Sequence, residues 1–292
     1  MAIALQIKQK GCSVSMEQFK DKVAIVTGGG SGIGQALCQE LAQEGSIVVV
    51  ADINDDHAKR VVSAITQNGG RAHAVPVDVS NEEEVRQLIN ETVSEYGRLD
   101  YLFNNAGIAI GGDARDLTLE QWRRVLEVNL YGELYGTIIA YPIMVKQGFG
   151  YIVNTASATG LLPQPINAPY CTSKYGIVGL SLSLRVEGAD LGVKVSVVCP
   201  GRVQTNMYQA ATIANLAPEQ RAAYEQQMTA PKRMDASKAA RTILGGVSHN
   251  QAIIIFPANV RLAWRLYRLS PRLLDRLLLN STRTFRKYRR NP

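Results

Sequence analysis

Seven short apolar runs, most of them rich in valine and isoleucine, recur along this chain, and each of the six gaps between them carries a stretch of helical periodicity. The runs lie at 22–27, 46–51, 72–77, 100–104, 150–155, 193–199 and 252–256. Continuous apolar runs of this length suit strands covered on both faces, because a strand with one wet face alternates apolar and polar residues. The helical stretches are 32–44, 56–68, 81–96, 118–147, 169–188 and 235–247. Alternation of this kind predicts an α/β fold, a doubly wound parallel sheet of about seven strands with helices on both sides. Neither a repeat nor a Pro/Ser/Gly linker divides residues 22–257, which read as one domain. Residues 1–21 read as an N-terminal extension, and Met16 offers a second start that would make 1–15 optional. Residues 258–292 read as an added helical tail.

Composition places charge unevenly on this frame. The net charge of the 292 residues is +7. From Asn259 to Pro292 there are ten Lys/Arg and one acid, Asp275, while the rest carries 22 Lys/Arg against 24 Asp/Glu. A nearly neutral body with a basic tail disfavours nucleic-acid binding by the body. Cys12, Cys38, Cys171 and Cys199 show no CxxC pair, and His57, His73 and His249 lie far apart. That pattern predicts free thiols in a reducing cytoplasm, with no disulfide framework and no metal site. Lys8 and Lys10 interrupt any signal-peptide core, and no segment has the ~20 apolar residues of a membrane span.

The first strand runs into Thr27-Gly28-Gly29-Gly30-Ser31-Gly32-Ile33-Gly34, and a helix follows. Glycines there allow a tight turn that brings backbone N–H groups to a pyrophosphate at the helix N-terminus; an ordinary strand–helix loop is the competing reading. Asp52 ends the second strand twenty residues after Gly32. An acid at that place hydrogen-bonds ribose hydroxyls and repels a 2′-phosphate. Neither Ser31 nor Ile53 nor Asn54 supplies a cation, so NAD is favoured over NADP. A surface Asp capping the next helix is the alternative.

These motifs, with Asp78-Val79, Asn104-Asn105-Ala106-Gly107, Asn129, Ser157, Tyr170-Cys171-Thr172-Ser173-Lys174 and Pro200-Gly201, resemble the short-chain dehydrogenase/reductase family over about residues 20–257. The resemblance implies a Rossmann-type NAD-binding domain and an oxidoreductase acting on alcohols or ketones, assembled as a homo-oligomer through the helices at 118–147 and 169–188. Tyr170 and Lys174 are four apart on a helix and share a face. A free tyrosine titrates near ~10, and a neighbouring cation favours its phenolate, so Tyr170 can exchange a proton with a substrate oxygen. The family pattern makes Ser157 the substrate anchor, with Thr155 and Thr159 as competitors, and Asn129 the relay residue. It sets Gly28, Ser31, Gly32, Ile33, Gly34, Asp52, Ile53, Asp78, Val79, Asn105, Ala106, Gly107, Tyr170 and Lys174 around the cofactor. Pro200, Gly201, Val203 and Thr205 would clasp its carboxamide.

From Asn206 to Arg233 the family places a lid, here with Met207, Tyr208, Ile213, Leu216, Tyr224 and Met228 as its apolar positions. Opposite it, Ala158-Thr159-Gly160-Leu161-Leu162-Pro163 would line the other wall, with Leu161 and Met207 expected to touch the substrate. Few cations stand on either wall apart from Arg202, Arg221 and the Lys232-Arg233 pair, which suggests a neutral, fairly apolar alcohol or ketone. Arg261, Arg265, Arg268, Arg272 and Arg276 recur at helical spacing in the tail, each followed by a leucine. Ser270-Pro271 predicts a bend between two helices. The tail could lie on an anionic membrane surface with Trp264 and Tyr267 at the interface, pack on the body or a neighbouring subunit, or bind nucleic acid. The reading is an NAD-dependent short-chain alcohol dehydrogenase or ketone reductase. Its rivals are an NADP-dependent biosynthetic ketoreductase and an idle NAD-binding scaffold on a membrane.

Overall fold

The computed structural model describes residues 16–205, 207–216 and 233–289. Seven parallel strands form one sheet: β1 (Val23–Thr27), β2 (Ile47–Asp52), β3 (Arg71–Pro76), β4 (Tyr101–Asn104), β5 (Gly150–Thr155), β6 (Val193–Pro200) and β7 (Ile253–Phe256). Their spatial order is β3-β2-β1-β4-β5-β6-β7. Each run expected from the sequence is therefore a strand, and the order reverses between β1 and β4. In such a sheet the switch point opens a crevice at the carboxyl ends of the strands.

Among the described residues the helices of two turns or more are α1 (Gly32–Gln43), α2 (Asp55–Gln67), α3 (Glu82–Tyr96), α4 (Leu119–Leu126), α5 (Gly132–Gln147), α6 (Ala168–Glu187) and α7 (Ala236–Ser248), with α8 (Ala258–Leu269) and α9 (Pro271–Arg286) in the tail. Both sheet faces are dry. Ala24, Val26, Val48 and Val50 pack with Leu37 and Leu41 of α1 and Ile243 and Leu244 of α7. Ile25, Val49 and Leu102 point the other way, against Leu88 and Ile89 of α3 and Ile139 and Met144 of α5. Period-two alternation thus serves two apolar layers, which is why the strand sequences are apolar throughout.

Local chemistry sets the helix ends. Asn54 accepts from the His57 amide to cap α2, and Thr118 and Gln121 form a reciprocal capping box on α4. The expected helix 118–147 is interrupted: Glu127–Tyr131 forms a π-helical turn between α4 and α5. A wide turn inserts one residue into the helical phase and re-aims the side chains on it. A two-residue parallel ladder, Ile110–Gly111 with Thr212–Ile213, was not anticipated, because segments so short carry no periodic signal. Among the described residues no helix is long and apolar enough to cross a membrane. Cys38, Cys171 and Cys199 are free thiols. Residues 1–15, with Cys12, lie outside the described residues, as do Asn206 and 217–232, with Tyr224 and Met228 of the expected lid.

The tail does bend at Ser270-Pro271, with Pro271 opening α9, but the Ser270 side chain makes no cap hydrogen bond. Val260 and Trp264 of α8 pack against the cluster of Ile177, Val197 and Ile255. Trp264 therefore faces the protein body, with the Arg268 guanidinium 5.3 Å from its ring centroid.

Candidate active site

A cleft of about 420 Å³ opens at the carboxyl ends of the strands. One end is the turn between β1 and α1, where Gly28, Ser31, Gly32 and Ile33 line the wall. Gly28 and Gly32 have φ of 63° and 55°, the left-handed region that glycine enters without a Cβ penalty. Asp52 stands beside this turn: its Oδ2 accepts from the Gly30 amide at 2.9 Å and its Oδ1 from the Asn54 amide at 2.9 Å. Both oxygens keep a lone pair directed elsewhere, so the carboxylate can still accept from a diol. Ile53, 65% exposed, lines the same end, followed by Asp78 and Val79. Asp78 is steadied by the amide and hydroxyl of Ser80.

Gly34 was expected among the cofactor contacts, but it is not part of this wall. A Cβ there would lie 2.1 Å from the Gly28 carbonyl oxygen. Its bareness lets the first helical turn sit against the loop, a packing role behind the binding surface.

The floor is tied to β4 by Thr27. Its hydroxyl accepts from the amides of Asn105 at 3.0 Å and Ala106 at 3.2 Å. Asn105, Ala106 and Gly107 face the cleft, whereas Asn104 turns into the core and donates to Asn154 at 2.9 Å. On the opposite side stand Pro200, Gly201, Val203, Thr205 and Met207.

Tyr170 and Lys174, one turn apart on α6, both face the cleft, and Ser157 meets them from the end of β5. Lys174 Nζ lies 5.9 Å from the Tyr170 ring centroid. Lys174 is 2% exposed, and its ammonium donates to the Thr155 carbonyl at 2.6 Å and to Glu133 Oε1 at 2.8 Å. Ser157 Oγ accepts from the Thr159 amide at 3.2 Å. Of its two competitors, Thr155 presents its carbonyl to Lys174, and Thr159 is buried beyond the cleft.

Asn129 is completely buried on the π turn and does not reach the cleft wall. Its amide clamps Ile108: Oδ1 accepts from the Ile108 N–H at 2.8 Å and Nδ2 donates to the Ile108 carbonyl at 2.9 Å. The side chain thus holds the Asn105–Ile108 strand end in place.

Leu161, expected at the substrate, is 7% exposed and packs with Ala156, Ile177 and Val197. Its neighbour Leu162 lines a second cavity instead. The short turn Ala158–Gly160 leads directly into this pair, whose consecutive side chains then diverge.

Glu133 was missed. It is 2% exposed on α5, and its Oε2 has no hydrogen-bond partner among the described residues. Burial pushes its carboxyl up to about 7, against the opposing pull of Lys174 and the Thr155 amide. A signal existed: Glu133 follows Asn129 by four residues on one predicted helix, so it belonged to the same inward face.

The site fits a nicotinamide dinucleotide. The bare glycine turn, the acid at the β2 end and the elongated cleft running to Tyr170 match its phosphates, ribose and ring in turn.

Similarity to known proteins agrees with this geometry. The family described as short chain dehydrogenase matches residues 22–215. Cyclohexanol dehydrogenase of Acinetobacter sp. (strain SE19) is 37% identical over 210 residues, which cover 70% of this chain and 83% of the relative. Meso-2,3-butanediol dehydrogenase of Serratia marcescens is 36% identical over 190 residues, 65% of this chain and 74% of the relative. A crystal structure of a short chain dehydrogenase/reductase from Burkholderia phymatum in complex with NAD superposes with a TM-score of 0.80 at 30% identity, covering 88% of this chain and 96% of that one.

Proposed function

The chain belongs to the short chain dehydrogenase family, and we propose that it is an NAD-dependent oxidoreductase moving a hydride between the nicotinamide and a neutral, fairly apolar secondary alcohol or ketone. The observation that carries this reading is the convergence of Tyr170, Lys174 and Ser157 on one cleft. The names of the cyclohexanol and butanediol dehydrogenases support an alcohol as substrate.

A bound nicotinamide would supply the hydride acceptor or donor. Gly28, Ser31, Gly32, Ile33, Asp52, Asp78 and Val79 would hold the adenosine half, and Asn105, Ala106, Gly107, Lys174, Pro200, Gly201, Val203 and Thr205 the nicotinamide half. Ser157 Oγ orients the substrate oxygen by hydrogen bonding. Tyr170 Oη takes the hydroxyl proton in oxidation or returns it in reduction. The buried Lys174 ammonium favours the phenolate of Tyr170 and so lowers the cost of that proton transfer. Asn129 acts through Ile108 to hold the cofactor floor. Asp52 supports NAD over NADP, because its carboxylate would oppose a 2′-phosphate.

The test is a screen of secondary alcohols with NAD and with NADP. Reduction of NAD by at least one alcohol, lost in Tyr170→Phe with NADH binding retained, is the expected result. Strong preference for NADP would overturn the role given to Asp52.

Two further readings concern assembly and location. Tyr131, Ile138, Tyr175 and Val186, on the π turn, α5 and α6, are 43–76% exposed, which supports burial of these helices in a homo-oligomer. Light scattering that finds a monomer would refute this. Leu262, Leu266 and Leu269 of α8 are exposed beside Arg265 and Arg268, which supports contact with an anionic membrane surface. Flotation with anionic liposomes, with and without residues 259–292, tests it; no salt-sensitive binding would remove it.

A further inference from the structure

Beyond Ser157 lies a second cavity, of about 660 Å³, that shares Ser157, Pro200 and Gly201 with the cofactor cleft. Its near side comes from the chain after β5 and from the start of the tail, including Leu162, Pro163 and Val260. Its far side is one face of α9: Leu278, Ser281, Thr284 and Phe285, spaced three, three and one apart. Phe285 is 3% exposed although it lies near the end of the chain.

The tail is fixed there by its own charges. Arg286 Nε donates to Asp113 Oδ2 at 2.8 Å. Arg289 makes a two-pronged contact with Asp116, Nε to Oδ2 at 2.8 Å and Nη2 to Oδ1 at 2.6 Å. Asn215 joins from the ladder region, donating to Asp116 Oδ1 at 3.1 Å. Arg289 holds the Asp116 carboxyl below its ordinary value; Asp113, which burial alone would raise, is likewise held down by Arg286 and Arg115. The acidic turn Ala114–Asp116 and its cap Asp113 thus anchor the last basic residues, with the fork geometry that suits arginine to carboxylates.

Resting on the dehydrogenase reading above, we propose that α9 is a wall of the substrate chamber, and that the chamber takes the distal body of a bulky, uncharged, mainly apolar alcohol or ketone whose reacting carbon sits beside Ser157. Size and lining both argue for it. The volume of about 660 Å³ falls within the ~300–1,000 Å³ typical of small-molecule pockets, with room for more than a bare six-membered ring. Among the described lining residues the polar groups are mostly neutral hydroxyls and amides, and Arg202 alone carries a charge. A cationic ligand body would lose hydration there without compensation, and an anionic one would meet a single guanidinium among otherwise neutral groups. Leu278 and Phe285 instead reward apolar bulk, at roughly 25 cal/mol per Å² removed from water. The tail then sets substrate size, a role distinct from the proton chemistry of α6.

The test compares menthone with cyclohexanone, by calorimetric binding to the NADH-loaded protein, and menthol with cyclohexanol, by kcat/KM with NAD. Menthone should bind at least tenfold more tightly than cyclohexanone. Leu278→Trp, which fills the chamber, should reduce the menthol-to-cyclohexanol ratio of kcat/KM, and menthone affinity, at least tenfold. Ser281→Phe is the second variant, because Ser281 is exposed on one side and tolerates bulk. NADH affinity equal to wild type identifies a folded variant. Menthone affinity and the selectivity ratio within twofold of wild type in a folded variant would overturn the chamber, as would failure of menthone to bind. Tail-dependent menthone binding without turnover of any alcohol would instead sink the dehydrogenase reading and leave the chamber standing.

Discussion

Lys174 and the arginines of the tail carry the same charge in opposite settings. Lys174 is buried, held by Glu133 and the Thr155 carbonyl, and stands beside one tyrosine. Arg265, Arg272 and Arg276 are exposed on the tail helices. A buried charge interacts strongly with what it touches because little solvent screens it, whereas exposed charges act diffusely and weaken with salt. Ten basic residues in the tail therefore dominate the net charge, yet one buried lysine governs the proposed chemistry. Arg289 belongs between these extremes, since it is at the chain end but only 6% exposed and docked on Asp116.

The contrast can be broken at its strongest point first. Tyr170→Phe should lower turnover by roughly 10²–10⁴-fold, the range for loss of a general acid/base, with NADH binding unchanged by fluorescence titration. Next comes Glu133→Leu, which leaves Lys174 charged and buried without its carboxylate; about 3–5 kcal/mol of stability should be lost in urea unfolding. Glu133 also has a pH signature. Its carboxyl is raised from 4.5 to about 7 in the fold, so its contribution to stability is present at low pH and fades as pH rises through that interval. Glu133→Gln should flatten this part of the stability–pH curve; an unchanged slope would contradict burial as the cause.

Smaller effects follow. Asp52→Ala removes a charged acceptor, worth about 1.5–3 kcal/mol, and should narrow the NAD-to-NADP preference roughly ten- to a hundredfold by binding titration. Arg289→Ala should lower the melting temperature less than Glu133→Leu and speed proteolysis within the tail. The smallest change should come from Arg265→Glu with Arg272→Glu: stability within about 0.5 kcal/mol of wild type, but loss of any binding to anionic liposomes. If that pair destabilised the protein as much as Glu133→Leu, the contrast between buried and solvated charge would be mistaken.

Much of this architecture is legible in the sequence. Strands buried on two faces need apolar residues at successive positions, so each run announced its strand, and the family resemblance carried jointly by the glycine turn, Asp52 and the Tyr170–Lys174 pair implied a dinucleotide cleft. Legibility ended where a residue's surroundings come from distant segments. Spacing could put Glu133 on the inward face with Asn129, but only α6, by bringing Lys174 against it, makes it a buried partner. Asn129 was singled out, but its clamp on Ile108 depends on the π turn. Leu161 and Leu162 were both expected on the substrate wall, and only the folded chain sends Leu161 to the core while leaving Leu162 on the chamber.

The tail shows the same division. Its sequence alone determined two amphipathic helices, a bend at Ser270-Pro271 and a basic excess, because these follow from local spacing and the constraint of proline. Where those helices lie was decided only in three dimensions. Asp113 and Asp116 are more than 170 residues from the arginines they bind, and no local pattern couples them. Periodicity records which face of an element is apolar; it does not record what covers that face.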